Sequence, residues 1–154
     1  MKLSKVLSEK KNGNKLFTIG ANASLKEAAK EFCEKNISCL LVVEEDSNPP
    51  KYVGILTERD VIKQSCVDTL PCGSVRVADI MSRRMIVARA EDDVKYLMAV
   101  MSRHNIHHLP IIENNEVSGI ISMGDIIRSL HHEDEIRIHY LSDYASGTRC
   151  SDVF

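Results

Sequence analysis

The sequence predicts an α/β (α+β) fold in which two similar halves pack with pseudo-twofold symmetry into one module. The main observation is an internal repeat: moving the 154-residue chain by 69 positions aligns residues 24–44 with 93–113, and moving it by 65 aligns 54–62 with 119–127. Both halves combine a helical spacing of apolar residues with runs of β-branched residues. A unit of about 55 to 60 residues would bury its sheet poorly on its own, so we expect the two copies to share a core.

Each half is predicted to begin with an amphipathic helix. Apolar residues recur at helical spacing, and they are Leu25, Ala28, Ala29 and Phe32 in the first half and Val94, Leu97, Met98 and Met101 in the second. Ser24 and Glu27 form the capping-box pattern that starts a helix. Asn36 and Asn105 follow the two helices, at the place where a left-handed residue commonly ends a helix.

Two strands and a further helix are predicted to follow in each half. The buried strands are 37–43 and 106–112, and the return strands are 52–56 and 117–121. Their β-branched, apolar residues and their length favour strands over helices. A short helix is expected after each return strand.

The repeats set the predicted domain boundaries. A weaker match aligns residues 4–8 with 78–82, and Pro71 and Gly73 indicate a linker between the halves. The predicted divisions are 1–66 for the first repeat with its leading strand, 67–76 for the linker, 77–132 for the second repeat and 133–154 for a C-terminal helix or tail.

Composition argues against several classes of protein. The net charge of −2 gives no basic surface for nucleic acid, and no segment approaches the roughly 20 apolar residues of a membrane span. We therefore predict neither a nucleic-acid nor a membrane partner.

The five cysteines show no C-x-x-C spacing, which argues against a zinc ribbon and a disulfide framework. The lysine-rich start lacks the apolar segment of a secretory signal. We expect a cytoplasmic protein, or a mitochondrial one if a transit peptide was removed.

Four segments together carry a resemblance to a known family. They are 77–82 (VADIMS), 105–112 (NIHHLPII), 54–60 (GILTERD) and 119–125 (GIISMGD). In this order and duplicated, they resemble the CBS domain. From near Val6 to Leu130 the chain is similar to a tandem CBS pair, or Bateman module, of the stand-alone two-CBS type.

The resemblance implies both a fold and a function. The fold would be two βαββα CBS repeats around a cleft with two quasi-equivalent sites. The ligand would be an adenine nucleotide such as AMP, ADP or ATP, with S-adenosylmethionine and NAD as related adenosyl ligands. The pair would form a homodimer and modulate an unknown partner protein in trans, without catalysis and without a catalytic cofactor.

Two other functions are weighed against this one. The first is a structural dimerisation module with vestigial pockets, which the unequal site residues favour for at least one pocket. The second is an enzyme, but the sequence contains no nucleophile elbow and no Walker loop. We therefore predict that the chain is not an enzyme.

Two short motifs are the candidate ligand-binding residues. Thr57-x-x-Asp60 and Ser122-x-x-Asp125 each follow a return strand and open a helix. An aspartate at this place can accept hydrogen bonds from both vicinal hydroxyls of a ribose, while the hydroxyl and free N–H groups can reach a phosphate. The same pattern is an ordinary helix cap, and the two roles can coexist.

The resemblance assigns the remaining site residues to two unequal pockets. Around Asp125, with its motif neighbours Met123 and Gly124, it places His107 and His108 at the phosphate and Phe17, Ser38 and Cys39 near the adenine. Around Asp60 it places Arg59 as the one obvious cation and Ile86 near the base. We expect the Asp125 pocket to be the better nucleotide site.

The histidines are a departure from the family pattern. Related proteins often carry arginine where this chain has His107, and histidine is only fractionally charged near neutral pH. We therefore expect weaker and more pH-dependent phosphate binding. No metal site is predicted, because His107 and His108 are successive strand residues that point to opposite faces and, with His104, cannot give zinc three converging ligands.

Overall fold

The computed structural model describes residues 1–10, 15–67 and 73–145, so the predicted linker and tail lie partly outside the described residues. In chain order the elements are α1 (Leu3–Glu9), β1 (Thr18–Gly20), α2 (Leu25–Lys35), β2 (Cys39–Val43), β3 (Tyr52–Thr57), α3 (Glu58–Val67), α4 (Val77–Ile80), α5 (Val94–His104), β4 (His108–Glu113), β5 (Glu116–Ser122) and α6 (Met123–Ala145). The mixed fold predicted from the sequence is confirmed.

The first repeat is built on a three-stranded sheet in the order β1-β2-β3. The central strand β2 pairs in parallel with β1 and antiparallel with β3, which explains why its residues are apolar on both faces. Leu25 and Phe32 of α2 pack against Leu40 and Leu56 of the sheet. The apolar helical face predicted from the sequence is therefore the face that packs against the sheet.

The second repeat has the same topology with a shorter leading strand. Strands β4 and β5 pair antiparallel, and Ala88 forms a single parallel bridge to Ile111. In the first repeat the matching pair is Ile19 and Val42. The alignment by 69 positions therefore relates the same strand pairing in both halves.

The helix ends follow the capping rules expected from the sequence. The Glu27 amide donates to the Ser24 hydroxyl at 3.2 Å, and the Ser24 amide donates to the Glu27 carboxylate at 2.7 Å. Asn36 and Asn105 end α2 and α5 in the left-handed conformation, with φ of 51° and 53°. Both predictions are confirmed.

The helix after the second return strand is longer than predicted. We expected a short helix, but α6 runs for 23 residues from Met123 to Ala145 and crosses the predicted boundary at 132. Residues 125–145 contain no glycine or proline that would end a helix there. The end of the second repeat and much of the predicted tail thus form one continuous helix.

The leading segment of each repeat packs on the other repeat. Leu3 and Val6 of α1 are buried in the core of the second repeat, and Val77 of α4 is buried in the core of the first. The main chain follows the same exchange, because the Leu3 amide donates to the Asp92 carbonyl at 2.9 Å and the Val77 amide to the Ala23 carbonyl at 2.8 Å. This exchange joins the two halves into one module.

Candidate functional site

The two aspartates identified in the sequence occupy matching turns between a strand and a helix. Asp60 Oδ2 accepts hydrogen bonds from the Thr57 amide at 2.9 Å and the Thr57 hydroxyl at 2.7 Å. Asp125 Oδ2 accepts from the Ser122 amide at 3.0 Å and the Ser122 hydroxyl at 2.8 Å. Each carboxylate is thus held by its own turn through one oxygen, which leaves the other oxygen to interact elsewhere.

The segments that enter β2 and β4 meet between the repeats. The Ser38 carbonyl accepts from the Glu58 amide at 3.3 Å, and the His107 carbonyl accepts from the Met123 amide at 2.9 Å. The Ser38 hydroxyl and His108 Nε2 lie 3.2 Å apart. The starts of β2 and β4 are therefore each hydrogen-bonded to the strand–helix turn of their own repeat. The contact between Ser38 and His108 also joins them to each other.

A cavity of about 750 Å³ opens beside Asp60, at the junction of the two repeats. Its volume lies within the usual range for small-molecule sites, about 300 to 1,000 Å³. The predicted site residues that line it are Ser38, Thr57, Arg59, Asp60, Ile86, His107 and His108. Arg59 Nη1 also donates to the Asn105 carbonyl at 3.3 Å, so this side chain spans from one repeat to the other.

Three basic residues of the cavity were not predicted as ligand-binding residues from the sequence. Lys63, Arg84 and His104 line it together with Arg59, so the expectation that Arg59 is the one obvious cation near Asp60 is wrong. They come from α3, the segment after α4 and the end of α5, and converge only in the folded chain. A signal was present: Lys63 is one turn beyond Asp60, and Arg84 is two residues beyond the repeated segment that ends at Ser82.

The remaining predicted residues lie away from the lining of this cavity. Cys39 is buried, and burial raises the pKa of its thiol to about 12, with the charge of Asp60 acting in the same direction. The half-buried Phe17 has the Lys15 and Lys35 ammonium groups over its ring, 5.2 and 5.6 Å from the centroid. The resemblance assigns both side chains to the Asp125 pocket, and that assignment stays a prediction.

The residues around Asp125 form a separate neighbourhood in the second repeat. Met123 packs against the core of that repeat, and Gly124 lies beside Arg128, whose Nη1 would be 3.3 Å from a Cβ at this position. Lys10 Nζ lies 3.4 Å from Asp125 Oδ2, and Arg128 forms an ion pair with Oδ1. Burial raises the pKa of Asp125, but the Ser122 hydrogen bonds and the Lys10 charge outweigh it, and the net pKa is below the ordinary value.

The two histidines differ in environment. His107 is exposed, whereas His108 is half-buried. Burial lowers the pKa of His108, and the charges of His107 and Lys10 lower it further against the opposing effect of Asp125. The lowered pKa favours the neutral imidazole in the ligand-free chain, where Nε2 lies 3.2 Å from the Ser38 hydroxyl. The role of His107 and His108 at a phosphate stays a prediction.

Within the described ranges, no three His, Cys, Asp or Glu side chains are grouped as they would be around a metal ion. The same residues include no helix of the length and hydrophobicity that a bilayer crossing requires.

The sequence matches the CBS domain twice, over residues 13–66 and 77–132. The chain belongs to the CBS-domain family. Among curated relatives, the mitochondrial CBS domain-containing protein CBSX3 of Arabidopsis thaliana is 30% identical over 123 residues. The aligned part is 79% of this chain but only 59% of that protein's length.

Solved structures of CBS-domain proteins share the fold. A protein with CBS domains from Burkholderia ambifaria superposes with a TM-score of 0.78 at 29% identity, covering 84% of this chain and 93% of that one. The CBS domain pair of protein MJ0100, solved with 5′-methylthioadenosine and S-adenosyl-L-methionine, gives 0.67 at 29%, covering 83% and 98%. A hexameric CBS-CP12 protein from bloom-forming cyanobacteria gives 0.70 at 25%, covering 99% and 87%.

Proposed function

We propose that this CBS pair is a regulatory module that binds an adenine nucleotide of the AMP, ADP or ATP type in the cavity beside Asp60 and modulates a partner protein in trans. The observation that carries the proposal is the cavity itself. It places a carboxylate, several basic side chains and an apolar wall within one space between the repeats.

Each part of a nucleotide has a matching surface there. The Asp60 carboxylate can accept hydrogen bonds from the ribose hydroxyls, because its turn occupies only Oδ2. Arg59, Lys63 and Arg84 supply positive charge for phosphate. Apolar side chains for the base are also present, and they are Ile55, Ile62, Met85, Ile86 and Ile106.

The charges of the cavity favour an anionic ligand. Its two acidic residues are Glu58 and Asp60, against the three permanent cations Arg59, Lys63 and Arg84. A nucleotide phosphate would gain from these cations, whereas the sulfonium of S-adenosylmethionine would be repelled by them. The related pair of MJ0100 was solved with 5′-methylthioadenosine and S-adenosyl-L-methionine, so an adenosyl ligand suits the fold. For this chain we place AMP-type nucleotides above these two ligands, because only the nucleotides carry a phosphate.

The position of the cavity provides a route to regulation. Ser38, Thr57 and Asp60 come from the first repeat, and His104, Asn105 and His107 from the second. A ligand that contacts both halves favours the relative orientation in which both sets of contacts are made. A partner that reads this orientation would respond to the nucleotide, and by linkage the partner would change the nucleotide affinity by the same factor.

Calorimetric titration of AMP, ADP, ATP, NADH and S-adenosylmethionine tests the proposal. Asp60→Asn should weaken nucleotide binding roughly tenfold or more, because it removes a charged acceptor from the ribose. Asp134→Asn, an exposed substitution on α6, is the matched control and should leave the affinity unchanged. Absence of binding to the native protein at millimolar nucleotide would refute the proposal, and turnover of the bound nucleotide would replace it with an enzymatic function.

A structural dimerisation module is the second candidate, because α6 exposes many large apolar side chains. They are Ile127, Ile136, Ile138, Tyr140, Leu141 and Tyr144. Exposed apolar side chains of this size are typical of an interaction surface, and a second copy of the chain is the partner that we propose for α6. If no nucleotide binds in the cavity, light scattering should still report an oligomer. A homodimer would have twice the chain mass of 17.3 kDa.

A further inference from the structure

The second aspartate, Asp125, has both of its carboxylate oxygens engaged by the chain itself. Its Oδ2 accepts from the Ser122 amide and hydroxyl and lies 3.4 Å from Lys10 Nζ. Its Oδ1 is paired with Arg128. Three donors therefore share Oδ2, one cation is paired with Oδ1, and a ligand has to compete with them for this carboxylate.

The first aspartate, Asp60, has the same turn without these cations. Among the described residues, its hydrogen bonds come from the Thr57 amide and hydroxyl alone. Its carboxylate borders the cavity. The two quasi-equivalent carboxylates therefore differ: Asp60 has hydrogen bonds on Oδ2 alone, whereas Asp125 has partners on both oxygens.

The repeat alignment shows that equivalent cations exist in both halves. The alignment of residues 4–8 with 78–82 places Lys10 on Arg84, and the alignment by 65 positions places Arg128 on Lys63. Arg84 and Lys63 line the open cavity beside Asp60. The difference between the sites is thus the position of matching cations rather than their presence.

Lys10 is held in place by the fold. It follows α1, which Leu3 and Val6 anchor in the core of the second repeat and whose Glu9 accepts a hydrogen bond from the Ser129 hydroxyl at 2.5 Å. The Lys10 ammonium also donates to the Ile120 carbonyl at 2.7 Å. Only 20% of the Lys10 side chain and 13% of the Asp125 side chain are exposed, so solvent weakens this ion pair less than one on the surface.

We propose that Lys10 is an internal occupant of the second ribose-binding carboxylate, so that the two sites fill in order: the Asp60 site first, and the Asp125 site only when Lys10 is displaced. A ribose at Asp125 must compete with the Lys10 ammonium at Oδ2 and with Arg128 at Oδ1. Loss of a charge-assisted hydrogen bond changes affinity by about tenfold or more. This inference rests on the proposed nucleotide-binding function.

The test is the stoichiometry of AMP binding measured by calorimetry at saturating concentrations. The native chain should bind one AMP, and Lys10→Met should bind a second with at least about tenfold higher affinity than any second event in the native chain. Lys5→Met is the matched control on the same helix, because the Lys5 ammonium contacts Glu133 and not Asp125. It should keep a single site, as should Lys10→Arg, which retains the positive charge.

A double variant identifies where the new site lies. Adding Asp125→Asn to Lys10→Met should abolish the second event and leave the first. Two equal sites in the native chain, or one site in a folded Lys10→Met protein, would overturn the inference while leaving the proposed function intact. No AMP binding to either form would instead refute the proposed function, and this inference with it.

Discussion

Replacing Leu3 by alanine should destabilise the whole module, although Leu3 is two residues from the start of the chain. Its side chain is fully buried and packs in the core of the second repeat with Val94, Leu97 and Leu109. Burial of a leucine against a rigid core gives a cost of about 2.7 to 5 kcal/mol on truncation, from the transferred atoms and the residual cavity. Because the Leu3 amide also bonds to the Asp92 carbonyl, the backbone is fixed and can relax little into the space. We expect a loss of about 3 kcal/mol.

Equilibrium unfolding in urea measures this loss as a lower midpoint with an unchanged slope. Tyr96→Ala is the control, because Tyr96 is 64% exposed on α5 and lies outside the proposed dimer surface, and it should change the free energy of unfolding by about 0.5 kcal/mol or less. A Leu3→Ala protein within 1 kcal/mol of the native stability would contradict the exchange of leading segments between the repeats.

Three further outcomes follow from the site and the surface. Protonation of His108 opposes folding, because its pKa is lower in the folded chain than in the unfolded one. The melting temperature should therefore fall as the pH drops below about 6.5. His108→Gln should reduce this fall in melting curves recorded from pH 7.5 to 5.5. Arg84→Gln should weaken AMP several-fold but leave adenosine binding unchanged in calorimetry, since only AMP carries a phosphate; equal losses for both would place Arg84 outside the phosphate region. Tyr140→Glu should shift a homodimer toward monomer in light scattering, because it puts a charge on the exposed apolar face of α6; an unchanged mass would exclude that face as the interface.

The sequence predicts best what depends on neighbouring residues. The helix caps at Ser24 and Asn36 and the turns at Thr57 and Ser122 are set within a few positions of the chain, and their patterns are visible twice. The repeat also relates strand pairings that the structure shows in both halves, because Ile19 with Val42 and Ala88 with Ile111 are equivalent pairs.

What depends on distant residues was beyond the sequence. Lys63, Arg84 and His104 converge on one cavity from separate elements, and no local pattern shows that they share a space. The expected preference for the Asp125 pocket rested on the two histidines. In the folded chain the Lys10 ammonium, 115 positions away along the chain, lies against Asp125 instead. Local resemblance identified both carboxylates, but only the fold shows which one is engaged.

A crystal structure of the protein with AMP tests the central claim most directly. The account predicts AMP in the cavity between the repeats, with its ribose hydroxyls within hydrogen-bond distance of the Asp60 carboxylate and its phosphate among Arg59, Lys63 and Arg84. AMP bound at Asp125 alone, or outside the cavity while Asp60 stays unoccupied, would contradict it.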